Sequence, residues 1–163
     1  MNRGSTLFLK ISIFVIGIPV LGLCLFLLPQ IAMEAFEQAQ KGAGLAYVVF
    51  GILIIMYGSA IPFYIALYQG LLLLSYIDKN QAFSSLSVNA LRKIKNSAKL
   101  IFGMYVVALP FIFVIAEWDD APGLVLIGMV IAGSSLIVAV FVAVLQRLLQ
   151  QAIHIKSEND LTV

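Results

Sequence analysis

The stretch of sequence that decides the fold is residues 45–74, which read LAYVVFGILIIMYGSAIPFYIALYQGLLLL and carry no charged side chain. A helix needs about 20 apolar residues to cross the roughly 30 Å of hydrocarbon in a bilayer. This stretch therefore predicts a membrane-spanning helix that is longer than one crossing requires. Pro62 lies near its middle, and because a proline inside a helix removes one backbone hydrogen bond, we expect a kink there.

Three further apolar stretches, residues 7–28, 100–116 and 123–145, fall within the range of about 17–25 residues that spans a membrane. The first of them exceeds the roughly 7–15 apolar residues of a secretory signal peptide, and no small-residue cleavage site follows it. We therefore expect the first stretch to be retained as a membrane helix, which makes four spans in all.

The composition of the whole chain indicates the same class of protein. Of its 163 residues, 62% are hydrophobic and 11% are charged, and the mean hydropathy is +1.06. Soluble domains are about 45–50% apolar and about 25% charged. A disulfide scaffold needs more than the single Cys24, and direct nucleic-acid binding needs more basic charge than a net +2. We therefore predict an all-α integral membrane protein whose residues 1–163 form a single domain of four transmembrane helices.

Positive charge is distributed unevenly along the chain. The amino-terminal segment, the segment between the second and third spans and the tail share nine Lys and Arg residues, whereas Lys41 is alone on the other side. Cytoplasmic segments carry the excess of Lys and Arg, so we expect both termini to be cytoplasmic. The nine residues are Arg3, Lys10, Lys79, Arg92, Lys93, Lys95, Lys99, Arg147 and Lys156.

Residues 84–99 are predicted to form a basic amphipathic helix that begins at Ser84 or Ser85 and continues into the third span. The apolar residues of this basic helix recur at helical spacing. The tail, residues 146–163, is predicted to continue the fourth helix and to fray in its polar closing residues. A basic helix of this kind can bind anionic headgroups or a partner. Alternatively, its charges only orient the protein, and the apolar side of the tail packs on the helix bundle. The candidate partner or lipid surface is Arg92, Lys93, Lys95, Lys99, Leu149 and Ile153.

The second span carries a candidate intramembrane polar face made of Tyr57, Tyr64, Tyr68 and Gln69. The three tyrosines are seven and four residues apart, which places them on one side of a helix. This face either lines a cavity for a ligand or supplies hydrogen bonds between helices around the Pro62 kink. In the fourth span, the spacing of Gly128 and Ala132 predicts a close helix contact, either within the chain or in a homo-oligomer.

Two segments are expected on the outer side. Residues 30–44 are predicted to form a short polar helix that stops at Gly42 and Gly44. Residues 117–123 are predicted to form a tight turn, with Asp120 capping the fourth helix. The candidate outer acidic turn, Glu117, Asp119 and Asp120, could bind a divalent cation or a cationic peptide, or it could be simply solvated.

The residues that catalysis requires are scarce in this sequence. The single histidine, His154, and the single cysteine, Cys24, lie on different segments, and no metal-binding or nucleophile motif surrounds either of them. We therefore expect a non-enzymatic protein with no cofactor and no metal site.

Three segments carry a resemblance to a known family. Residues 75–95 read SYIDKNQAFSSLSVNALRKIK, residues 115–123 read IAEWDDAPG, and residues 148–163 read LLQQAIHIKSENDLTV. Together they resemble an uncharacterised family of small four-span bacterial membrane proteins, found mostly in Gram-positive species and often encoded beside a small helix-turn-helix regulator. The resemblance implies a bacterial cell membrane location, and it implies that the protein is the membrane partner of a transcription factor.

The leading hypothesis is a membrane-embedded regulator or sensor that engages a cytoplasmic partner, such as a small helix-turn-helix regulator. The alternative is a transport accessory or a self-protection protein of the immunity type, which acts within the lipid bilayer and needs no cytoplasmic partner. A third interpretation is a minimal channel or carrier, which requires an oligomer to form a pore. Channels and carriers usually have ionisable groups at membrane depth, and no Asp, Glu, Lys, Arg or His lies deep in any span here.

Overall fold

The computed structural model describes residues 3–42 and 44–161, which are helical apart from short turns and contain no strand. The helices are α1 (Arg3–Gly22), α2 (Leu28–Gln40), α3 (Leu45–Asp78), α4 (Ser85–Trp118) and α5 (Gly123–Leu161), and a π-helical turn at Leu23–Leu27 joins α1 to α2. Within this described part of the chain, four helical rods are long and apolar enough to cross a membrane, the first of them Gly4–Gln40. The prediction of an all-α protein with four candidate spans is confirmed.

The helices extend well beyond the predicted spans. With 34 residues each, α3 and α4 are about 51 Å long, and the 39 residues of α5 are about 58 Å long. The predicted basic helix, residues 84–99, is the first part of α4 and continues without a break into the third span. The fourth helix continues through the tail to Leu161, where we had expected fraying, and residues 162–163 of the predicted tail lie outside the described residues.

The helices pack as a row and not as a closed bundle. α3 packs against α1, α2 and α4, and α4 also packs against α5. Within the described residues, α1 forms no comparable interface with α4 or α5. Most of the surface of α1 is consequently exposed and apolar, as expected for a helix that faces lipid.

The helix contact between α4 and α5 is close. A Cβ atom added to Gly128 would lie 3.0 Å from Cδ2 of Leu109 and 3.1 Å from Cδ1 of Ile112. Small residues allow such close approach between membrane helices, and Ala132 and Ala139 on the same side of α5 are also buried. The Gly128 and Ala132 spacing therefore marks a contact within the chain.

At the turns, residues with a left-handed backbone conformation follow the ends of the helices. Asn80 (φ 58°) follows α3, and the next amide, that of Gln81, donates to the carbonyl of Tyr76. Asp120 (φ 50°) has the same role after α4, so the prediction that it caps the following helix is wrong: α5 begins only at Gly123. Gly42 (φ 82°) ends α2 near the predicted position.

Long-range contacts define the two ends of the molecule. Near the amino terminus, Lys10 pairs with Asp78 at 2.9 Å, and at the same end the ammonium of Lys156 lies 6.0 Å from the ring centre of Phe83. We call this the basic end: residues 3–10, 78–99 and 146–161. The acidic end comprises residues 34–45 and 115–124, which are brought together around one cavity.

Candidate ligand cavity at the acidic end

A cavity of about 410 Å³ lies at the acidic end, between α2, α3, α4 and α5. Its volume falls within the range of about 300–1,000 Å³ that is typical of small-molecule sites. Most of the lining is aliphatic, for example Val49 and Leu53 from α3 and Ile112 from α4. Gly128 of α5 also lines the cavity. The cavity is therefore an apolar site.

Four side chains give the cavity its polar groups. Glu34 and Gln38 of α2 and Asp119 after α4 are exposed, and they form what we call the mouth. The hydroxyl of Tyr105 is the fourth, and it lies 3.3 Å from that of Ser59, which itself donates to the carbonyl of Met56 at 2.8 Å. Carboxylates therefore lie at the open end, and a phenol lies farther along the wall.

The sequence analysis identified Asp119 but missed its neighbours on α2. Of the candidate acidic turn, Glu117 and Asp120 are exposed and do not line the cavity. A signal for the α2 wall was present, because Ile31, Glu34, Ala35 and Gln38 recur at helical spacing on one side of that helix. Among the described residues, no three His, Cys, Asp or Glu side chains come together as a metal site.

The candidate intramembrane polar face lies elsewhere, and two of its tyrosines donate to backbone carbonyls of the first rod, Gly4–Gln40. The hydroxyl of Tyr57 donates to the carbonyl of Cys24 at 2.9 Å, and that of Tyr64 donates to the carbonyl of Gly17 at 2.8 Å. Tyr68 is exposed and Gln69 is buried. These side chains do not line the cavity at the acidic end, although Tyr64, Tyr68 and Gln69 border a shallow depression on α3.

The local sequence explains why Tyr57 has an acceptor at this point. In the π-helical turn, the amide of Leu28 donates to the carbonyl of Leu23, one residue earlier than in an α-helix. The next amide in this pattern would donate to Cys24, but residue 29 is a proline and has no N–H. The carbonyl of Cys24 is thus left without a partner in its own helix, and Tyr57 supplies one.

At the basic end, the candidate partner surface divides into two sets. Arg92, Lys93 and Lys99 are exposed on α4. Lys95 instead donates to Oε1 of the buried Gln146 at 2.9 Å, so it belongs to the contact between α4 and α5. Leu149 and Ile153 are half-buried on α5. The exposed part of this candidate surface is therefore cationic.

Comparison with known proteins places this architecture in a family. A relative in Bacillus subtilis (strain 168), described as uncharacterized membrane protein YoaS, is 55% identical over 163 residues, which is the full length of both chains. No solved structure matches this chain. The model of the family described as protein of unknown function (DUF2975) matches residues 8–163. This four-span, multi-pass membrane protein therefore belongs to the DUF2975 family.

Proposed function

We propose that the protein is a membrane-embedded sensor, in which the cavity at the acidic end takes up a ligand and the basic end engages a cytoplasmic partner. One observation carries this proposal: α4 and α5, which form part of the cavity wall, continue as the same helices into the basic end. Tyr105 and Asp119 line the cavity, and Arg92 and Lys99 lie on the same continuous helix, α4. A ligand that changes how α4 and α5 pack at one end therefore acts on the other end.

The proposed orientation places the basic end in the cytoplasm and the acidic end outside. The nine Lys and Arg residues described above all belong to segments of the basic end, which is the distribution expected of cytoplasmic segments. Coupling requires that the ligand binds the two packing states with different affinity. Pro110, which lies within α4 between the cavity residues Ala108 and Ile112, is a suitable position for bending because its missing N–H weakens the helix there.

We propose an acidic cytoplasmic protein as the partner, such as a small helix-turn-helix regulator. The exposed Arg92, Lys93 and Lys99 offer positive charge, and Arg147 on α5 is also exposed at this end. Charge complementarity of this kind favours association of opposite surfaces. The half-buried Leu149 and Ile153 are proposed to support the helix packing beneath this surface, and not to contact the partner directly.

The test is photocrosslinking in native membranes of the source bacterium. A photoreactive amino acid replaces His154, which is exposed at the basic end, and a control replaces the exposed Glu37 at the other end. We expect position 154 to capture one defined cytoplasmic protein and position 37 not to capture it. Arg92→Glu combined with Lys93→Glu should then abolish the capture. Capture of only lipid, or of only further copies of this chain, at position 154 would contradict the proposal.

A second candidate function is self-protection against a membrane-active compound within the bilayer. The cavity with its acidic mouth favours this candidate, because it could hold such a compound without any cytoplasmic partner. Truncation after Leu149 separates the two functions, since it removes the exposed end of α5 and none of the residues that line the cavity. A sensor should lose partner capture on truncation, whereas a protein that acts in the bilayer should keep its protective effect.

A further inference from the structure

The cavity at the acidic end is elongated along α4. Asp119 and Tyr105 both line it, and they are fourteen residues apart on and just after α4, which is about 21 Å of helix rise. Aliphatic side chains of α3, α4 and α5 line the space between them. The cavity therefore suits an extended apolar chain.

The charge at the mouth is strongly asymmetric. The acidic end carries five carboxylates and a single basic residue, Lys41. Two of the carboxylates, Glu34 and Asp119, line the cavity, and they come from different helices. An anionic group at the mouth would be repelled by these charges, whereas a cation would be attracted. The five carboxylates are those of Glu34, Glu37, Glu117, Asp119 and Asp120.

We propose that this cavity binds a lipophilic cation: a small molecule with an amine or quaternary ammonium group and a single unbranched apolar chain. The cationic group lies at the mouth beside Glu34 and Asp119, and the chain extends along the aliphatic wall toward Tyr105. This inference rests on the proposed function, in which the cavity is the sensing site, and names the class of ligand that it senses.

The same observations disfavour other occupants. A divalent cation would need several converging ligands, and no such group exists among the described residues. An anionic phospholipid would bring its negative headgroup to the mouth. A neutral chain would contact the apolar wall equally well but would leave Glu34 and Asp119 without a function. Comparing ligands that have the same chain length and different headgroup charges tests that point.

The experiment is calorimetric titration of the full-length protein in zwitterionic lipid nanodiscs, with empty nanodiscs subtracted to remove partitioning into lipid. The probes are dodecyltrimethylammonium, dodecyl sulfate, which has the same chain and the opposite charge, and tetramethylammonium, which has no long chain. We expect saturable binding of dodecyltrimethylammonium alone. Equal binding of dodecyl sulfate, or no saturable heat above that of empty nanodiscs, would overturn the proposal.

Two matched variants localise the binding. Glu34→Gln combined with Asp119→Asn should weaken the affinity for dodecyltrimethylammonium about tenfold, since each exposed ion pair contributes modestly. Glu117→Gln combined with Asp120→Asn removes the same charge from the same end, away from the cavity, and should leave the affinity within about twofold because exposed charges are screened. Equal weakening by both pairs would mean that the cation binds diffusely to the acidic end and not in the cavity.

A third variant tests the apolar wall. Val49→Phe places a larger side chain in the cavity and should abolish binding of dodecyltrimethylammonium. If this variant does not fold, the exposed carboxylate pair still decides the question. Failure of cation binding together with successful capture at position 154 would leave the sensor function intact with a different ligand. Cation binding without any captured partner would support the cavity proposal and contradict the sensor function.

Discussion

The hydroxyl of Tyr57 lies 2.9 Å from the carbonyl oxygen of Cys24, to which Pro29 cannot donate a hydrogen bond because it has no N–H. The first rod packs mainly on α3, so its position depends on a small set of contacts. Among these contacts, two tyrosines donate to backbone carbonyls of the first rod, and Thr6 and Lys10 both donate to Asp78. The position of the first rod on α3 is therefore determined by hydrogen bonds more than by burial of apolar surface.

Tyr57→Phe should destabilise the protein by about 1 kcal/mol, because it leaves the Cys24 carbonyl without a partner in a medium that supplies no water. The measurement is the free energy of unfolding in mixed detergent micelles. Tyr68→Phe is the matched control, since that tyrosine lies on the same helix with an exposed side chain. Equal losses in the two variants would contradict the special role of the Tyr57 hydroxyl.

Pro29→Ala should reduce the cost of Tyr57→Phe. Alanine restores an N–H at position 29, so the Cys24 carbonyl gains a partner within its own helix. A double-mutant cycle on the free energy of unfolding should give a coupling of at least about 0.5 kcal/mol between positions 29 and 57. Strictly additive effects would show that Pro29 does not create the acceptor.

Gly128→Ile should destabilise the protein by about 1–3 kcal/mol, since overpacking forces neighbouring side chains and backbone to shift. Even the first carbon of the new side chain would lie 3.0 Å from Leu109 Cδ2. Gly133→Ile is the control on the same helix, because nothing lies within 4 Å of a Cβ atom there. Thermal unfolding in detergent measures both, and a larger effect at position 133 would contradict the packing of α5 against α4.

Lys95→Met and Lys93→Met should separate structure from partner binding. Loss of Lys95 leaves the buried amide of Gln146 without its donor, so we expect a loss of stability of about 1 kcal/mol. Loss of the exposed Lys93 should leave thermal unfolding unchanged and weaken the capture of a partner at position 154. Destabilisation by Lys93→Met, or unchanged stability of Lys95→Met, would contradict this division of the basic surface.

Local features of the chain were predictable because they depend on neighbouring residues. The uncharged run at residues 45–74 is sufficient to predict a span, whatever surrounds it. Gly42 marked the end of α2 because few other residues adopt its positive φ. The role of Asp120 was misread, since both a helix cap and a left-handed helix stop suit that residue type. Which of the two applies depends on where each helix ends, and this is set by packing.

The sequence by itself determined that the chain is helical, how many times it can cross a membrane and which segments lie at the same end. These properties follow from hydropathy, charge and helix length, which are summed along the chain. Only the tertiary structure decided that Tyr57 meets Cys24 and that Glu34 and Asp119 open onto one cavity. The residues of each pair are far apart in the sequence. The helix faces that meet are selected by the fit of small residues such as Gly128, and the sequence of one segment alone does not reveal which faces fit together.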